Sequence, residues 1–217
     1  MSIIGVDEVG RGALAGPVVV AAVILPSNFT TKGRRFSVPL KDSKKLTPRS
    51  RELWFEYVKN RAEILYATSR VYPRRIERIN ISKAANVAAS RALGILERKS
   101  GFGVKDYKIL MDGGLYLAKN LKSKPKEIRT IIRGDEKFNA IKLASIVAKV
   151  TRDRYMVKLH KDYPVYKFNL HKGYGTKDHI RAVRRHGPCD VHRLTFLTKY
   201  TKIDERAQSS KFKTKRK

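Results

Sequence analysis

The sequence predicts a single α/β domain. Three observations carry that expectation. Short β-branched runs alternate with longer stretches of helical periodicity, no internal repeat or convincing linker divides the chain, and 217 residues with 41% hydrophobic content suffice to bury a sizeable core. The domain is expected over residues 1–206, followed by a basic, disordered tail over 207–217 that holds five Lys or Arg and no acid.

The elements follow in order. Ile3 to Val6 and Pro17 to Leu25 read as two buried strands, the second rich in β-branched residues, joined by a turn at Gly10-Arg11-Gly12. A polar, basic loop runs from Pro26 to Leu46. Thr47-Pro48 then supplies an N-cap with proline at the first helical position, and a helix is expected from Pro48 to Arg61 with Leu53, Trp54, Tyr57 and Val58 on its apolar face. Ile64 to Val71 reads as a strand. Ser82 is placed to cap a second helix, whose Ala84, Ala85, Ala88, Ala89 and Ala92 form a small-residue face suited to close packing on a sheet. Strands are expected at Tyr107 to Met111 and Thr130 to Ile132, ending at Asp112-Gly113 and Gly134-Asp135. A long helix follows, with Leu143, Ala144, Val147, Ala148, Thr151 and Tyr155 inward and Lys142, Ser145, Lys149, Arg152 and Asp153 toward water or a ligand. Thr176 to Arg185 reads as a short helix.

Charge narrows the function. Lys and Arg number 49 against 19 Asp and Glu, a formal net charge of +30 that calls for a polyanionic partner. The longest apolar run, Pro17 to Pro26, is too short to span a bilayer, and no signal peptide precedes it, so nucleic acid rather than membrane is the expected partner. One cysteine, Cys189, excludes an internal disulfide and any zinc site with two thiolates, as expected in a reducing cytoplasm.

Where the few acids sit is informative. Asp7 and Glu8 close the first strand, Asp112 closes a later one, and Asp135 follows another. Adjacent strand residues point to opposite faces, so Asp7 and Glu8 converge only if the chain turns there. Like charges gathered together repel and raise one another's pKa, which implies bound cations, and all-oxygen ligation selects Mg²⁺ or Mn²⁺ over zinc. A basic surface that gathers a phosphodiester and an acidic cluster that holds two metal ions would together hydrolyse it. Order along the chain leaves an equal alternative, in which these acids cap turns or pair with surface lysines.

Taken together, Gly5-Val6-Asp7-Glu8-Val9-Gly10-Arg11-Gly12, Asp42-Ser43-Lys44-Lys45-Leu46, Asp112-Gly113, Gly134-Asp135, Ala144-Ser145-Ile146-Val147-Ala148-Lys149-Val150-Thr151-Arg152-Asp153 and His171-Lys172-Gly173-Tyr174 closely resemble bacterial ribonuclease HII, in order, from Ile3 to Phe196. The resemblance implies a ribonuclease H-like fold, a mixed five-stranded sheet flanked by helices with a helical C-terminal part. It implies a monomer that cleaves the RNA strand of RNA–DNA hybrids and incises 5′ to a single ribonucleotide in duplex DNA, leaving 3′-hydroxyl and 5′-phosphate ends. The carboxylates of Asp7, Glu8, Asp112 and Asp135 would hold Mg²⁺ or Mn²⁺. Gly10, Arg11, Gly12 and Tyr174 would sense the ribose 2′-hydroxyl, the group that distinguishes RNA from DNA, and Ser43, Lys44 and Lys172 would bind substrate. Asp153, beside Arg152 and Arg154, reads instead as a salt-bridged group. Arg193 reads equally as a phosphate contact or a scaffold pair, and the five histidines lack metal-ligand spacing.

Two departures from the family pattern, at Lys142-Leu143 and at Thr195, both bear on packing. The related ribonuclease HIII carries an extra N-terminal domain, for which nothing precedes the first strand here. Two rivals remain at this level. One is a non-catalytic basic nucleic-acid-binding protein, which has no need of four acids at strand ends, and the other is a DNA-cutting nuclease of the same fold, against which Gly10-Arg11-Gly12 and Tyr174 argue.

Overall fold

A computed structural model describes residues 2–31, 37–101, 103–117 and 125–201. The expected tail at 207–217 lies outside them. Five strands, β1 (Ile3–Val9), β2 (Val18–Leu25), β3 (Leu65–Val71), β4 (Lys108–Asp112) and β5 (Glu127–Ile131), form one sheet in the order β3-β2-β1-β4-β5. β1 to β3 pair antiparallel, whereas β4 runs parallel to β1 and β5 parallel to β4. The C-terminal ends of β1, β4 and β5 therefore share one rim, where open α/β sheets place their ligands.

Every residue of β2 is buried, as its β-branched sequence and central place require. One face of the sheet packs on α3 (Ile81–Ser100), whose five alanines lie flat against Val6, Val18, Val20 and Ala22. The other face packs on α1 (Pro48–Lys59) and α5 (Asn139–Asp162) through Trp54, Val58, Leu143, Ala144 and Val147. α5 lies so close to β1 that a methyl group at Gly5 would overlap the Ala140 backbone carbonyl. It then runs on past the rim, where Met156 and Leu159 join Leu14, Ala15, Tyr166, Phe168, Val183 and Leu197 in a third core. That core binds in the short helices α6 (Phe168–His171), α7 (Lys177–His186) and α8 (Leu194–Leu197).

Some expectations need correction. α3 begins at Ile81, because the Asn80 side chain, not Ser82, accepts the Lys83 N–H as its cap. A helix not expected from the sequence, α2 (Pro73–Ile79), fills the gap before it. Arg152 and Ser145 do not face water. Arg152 is fully buried, and Ser145 is buried with its hydroxyl 2.8 Å from that of Ser43. The helix α4 (Gly134–Lys137) carries Asp135, which therefore sits in a helical first turn rather than at a strand end.

Candidate active site

Parallel register builds the centre of the site. Val6 lies opposite Met111 in the last pair between β1 and β4, so Asp7 and Asp112 stand side by side just beyond it, and Asp112 lies opposite Ile131 at the end of β5. Beyond β5 the chain reverses through Arg133, whose left-handed backbone (φ 56°) aims the α4 N-terminus back at β4, and the Gly134 N–H donates to Asp112 Oδ1 at 2.7 Å. Asp135 follows at once, almost fully buried. Three carboxylates thus meet at one rim.

β1 continues to Val9 without turning, so the Asp7 and Glu8 side chains leave on opposite faces. Asp7 reaches toward Ser145 of α5, and Glu8 toward Arg11, whose Nη1 lies 3.3 Å from Oε1. Burial pushes the Asp7 carboxyl well above the usual range, and repulsion from Glu8 and Asp112 adds to this against a hydrogen bond from Ser145. Glu8 is raised by burial and by Asp112, with Arg11 opposing. Asp135 is raised by burial and by Asp112, while Lys44 Nζ, 3.3 Å from Oδ2, pulls it down. Lys44 in turn, against a desolvation effect of opposite sign, is raised by Asp135, Asp42 and Asp7.

Among the described residues no group of three or more His, Cys, Asp or Glu side chains is arranged as it stands to hold a metal ion. Asp112 is turned to Gly134, Asp135 to Lys44 and Glu8 to Arg11. The donor chemistry nevertheless fits hard divalent cations. All four groups offer oxygen alone, they repel one another, and Glu8 Oε2 is buried with no hydrogen-bond partner, a costly state that a cation would relieve.

Beside the carboxylates lies the glycine turn. Gly10 takes a φ of 88° and packs so tightly on Arg152 that a side chain there would collide with the guanidinium, whereas Gly12 is exposed with open space around it. Two buried arginines fix this loop without a carboxylate partner. Arg152 donates to the carbonyls of Pro17 (2.9 Å), Ala15 (3.0 Å) and Lys172 (2.8 Å), and Arg193 donates to those of Gly16 (2.9 Å) and Arg11 (2.8 Å). Arg193 is therefore a scaffold residue. Arg152 also lies 5.3 Å from the Tyr174 ring centroid and so ties the glycine turn to that tyrosine. Tyr174 itself is half-buried on the wall of a cleft of about 580 Å³ between α1 and α5, which Arg51, Lys149, Arg154 and Lys172 make basic.

The remaining expected residues divide. The Lys44 side chain is 79% exposed, with its ammonium paired to Asp135. Ser43 is buried, with its hydroxyl turned inward on Ser145. Arg51 pins the same loop by donating to the Ser43 (2.9 Å) and Leu46 (2.6 Å) carbonyls, and Asp42 caps it by accepting the Lys44 N–H. The Lys172 ammonium donates to the Asn169 carbonyl in α6. Asp153 pairs with Lys149 at 2.9 Å, in line with its expected role as a salt-bridged group. The sequence reading missed the struts, Arg152, Arg51 and Ser145. The only signal for them was their place inside the quoted motifs or one turn beyond.

Comparison with known proteins agrees with this construction. The ribonuclease HII family model matches residues 4–199. Ribonuclease HII of Caldicellulosiruptor bescii is 44% identical over 90% of this chain and 86% of its own, and that of Chlamydia caviae is 43% identical over 89% and 83%. Among solved structures, ribonuclease H2 of Pyrococcus horikoshii superposes with a TM-score of 0.68 over 99% of this chain and all of its own, at 24% identity. Bst-RNase HIII in complex with Mn²⁺ superposes at 0.73 over 95% and 71%, at 20% identity. These two carry the fold alone, a mixed five-stranded sheet with a helical C-terminal part. By its family match and the identity of its relatives, the chain belongs to the ribonuclease HII family and is a metal-dependent ribonuclease H, an RNA–DNA hybrid endonuclease.

Proposed function

We propose that the protein incises the strand 5′ to a ribonucleotide, including a single one embedded in duplex DNA, by two-metal-ion hydrolysis that leaves 3′-hydroxyl and 5′-phosphate ends. The observation that carries this reading is the adjacency of two dissimilar features on one rim. The buried or half-buried, mutually repelling carboxylates of Asp7, Glu8, Asp112 and Asp135 stand next to a glycine turn and a tyrosine locked together by Arg152.

The four carboxylates would hold Mg²⁺ or Mn²⁺, which supply an activated water and neutralise charge at the scissile phosphate when bound. Lys44 attracts the phosphate beside Asp135. Arg11 balances Glu8 until substrate and cation arrive. The exposed amides around Gly12 and the Tyr174 hydroxyl are the groups for the 2′-hydroxyl, which both donates and accepts. The +30 charge supplies affinity for any duplex, and the ribose contact supplies the choice among them.

The test is a duplex with one ribonucleotide, an all-DNA control and Mg²⁺ or Mn²⁺, with product ends mapped. A cut 5′ to the ribonucleotide, none on plain DNA and none after chelation is the expected result. Cutting of plain DNA at a comparable rate would overturn the ribose reading.

A further inference from the structure

Behind Tyr174 lies a chain of hydrogen bonds whose direction is fixed at both ends. The Tyr174 carbonyl accepts the Thr176 N–H at 2.9 Å and a hydrogen bond from His179 Nδ1 at 2.9 Å. A carbonyl only accepts, so His179 carries its proton on Nδ1. Its Nε2 stands 3.0 Å from Nε2 of His192. With His179 neutral, that nitrogen accepts and His192 donates. His192 Nδ1 is thereby left as an acceptor, and it meets the Cys189 backbone N–H at 3.0 Å and the Cys189 thiol at 3.1 Å.

One arrangement satisfies every junction, from Cys189 through His192 and His179 to Tyr174. A proton added to either ring would set two N–H groups against each other. The surroundings keep both rings neutral and still. They are buried, His171 stacks on His179 at 4.4 Å, and Tyr166 and Phe168 meet the pair edge-on. Packing alone would be served by any ring of similar size. It would not require two imidazoles of matched tautomer that end on the backbone of a residue assigned to the ribose.

We propose that His179 and His192 are positioning residues for ribose recognition, holding the Tyr174 backbone, and through it the phenol, at the height the 2′-hydroxyl requires. This rests on the reading of Tyr174 as the ribose sensor. Two substitutions separate positioning from packing, because Asn places its amide nitrogen, a donor, where His179 has Nδ1, and Gln can place its amide oxygen, an acceptor, where His179 has Nε2. His179→Asn keeps the bond to Tyr174 and gives up the one to His192, and His179→Gln does the reverse.

The experiment measures kcat and KM for incision at a single ribonucleotide, and Kd for an all-DNA duplex, with both full-length variants. His179→Asn is expected to stay within about threefold of the parent, and His179→Gln to lose about tenfold in kcat, the effect of one hydrogen bond, with Kd unchanged in both. Gln equal to or better than Asn would overturn the proposal, as would two variants at the parent rate. In a Tyr174→Ala background the difference between the variants should vanish, and its persistence would also overturn the proposal. If Tyr174→Ala alone cuts at the parent rate, the sensor reading itself fails and takes this inference with it. A crippled Tyr174→Ala with equal Asn and Gln variants sinks the positioning role alone.

Discussion

Two regions of this molecule bury ionisable groups, and they satisfy them differently. At the sheet rim Asp7, Glu8 and Asp135 are raised by burial and mutual repulsion, and Glu8 Oε2 has no partner. In the C-terminal part Arg152 and Arg193 give their donors to backbone carbonyls, and His179 and His192 are satisfied by each other and by the chain. The first region leaves a buried carboxylate oxygen without a hydrogen-bond partner, and the second is complete. Burial by itself therefore marks neither a site nor a scaffold. What distinguishes them is whether the protein supplies the partners.

The comparison breaks first at Asp7. Removing a carboxylate from the incomplete region should cost activity and not stability. Asp7→Asn is expected to lower cleavage at least about 10²–10³-fold, while nonspecific duplex affinity, which depends on phosphate contacts, stays within about twofold. Parallel turnover and filter-binding assays decide it.

The next largest effect lies in the joint that sets the rim. Gly5→Ala forces α5 away from β1 at Ala140, at a cost on the order of 3 kcal/mol, visible as a lower urea midpoint. An unchanged midpoint would mean that α5 is free to shift without loss.

The two regions also respond to pH in opposite senses. Burial holds His179 down at about 4 and His192 at about 3, against an ordinary value of 6.5. Their stabilisation is complete above pH 6.5 and is lost as pH falls through 6.5 toward those values, on the order of 2 kcal/mol apiece at pH 5. The raised carboxyls act the other way. In the metal-free protein they weaken the fold as pH rises above the ordinary carboxylate range, and protonation on the way down restores what repulsion removed. His192→Phe should flatten the acid limb of urea stability, and saturating Mg²⁺ should flatten the alkaline one. An identical pH profile in all three samples would contradict the distinction.

The smallest effect concerns neither region. Deleting residues 207–217 removes five basic side chains, and the slope of log affinity against log salt should fall by up to about 4 on duplex DNA, with kcat unchanged.

Much of this was legible in the sequence because its physics is local. The β-branched run at Val18–Leu25 announces a central strand, the alanines of α3 announce close packing, and acids before glycines at Asp7 and Asp112 announce a rim in a chain otherwise so basic. The rest depends on where the chain returns. Nothing in the spacing of His179 and His192 says that their rings meet head to head, and an arginine in a helix reads as solvated until Ala15, Pro17 and Lys172 bring their carbonyls around it. The short α2 escaped because four of its seven residues are charged and its apolar positions, Ile76 and Ile79, are too few for a stripe.

The central claim is that the rim is a carboxylate set held in tension for metal ions. Its most direct measurement compares the parent and Asp7→Asn for thermal unfolding without metal, the shift in Tm on adding Mn²⁺, and incision of a duplex with one ribonucleotide. The expected result is a variant at least as stable as the parent without metal, with a diminished Mn²⁺ shift and no cleavage. A variant that melts well below the parent, or one that still cuts, would contradict it.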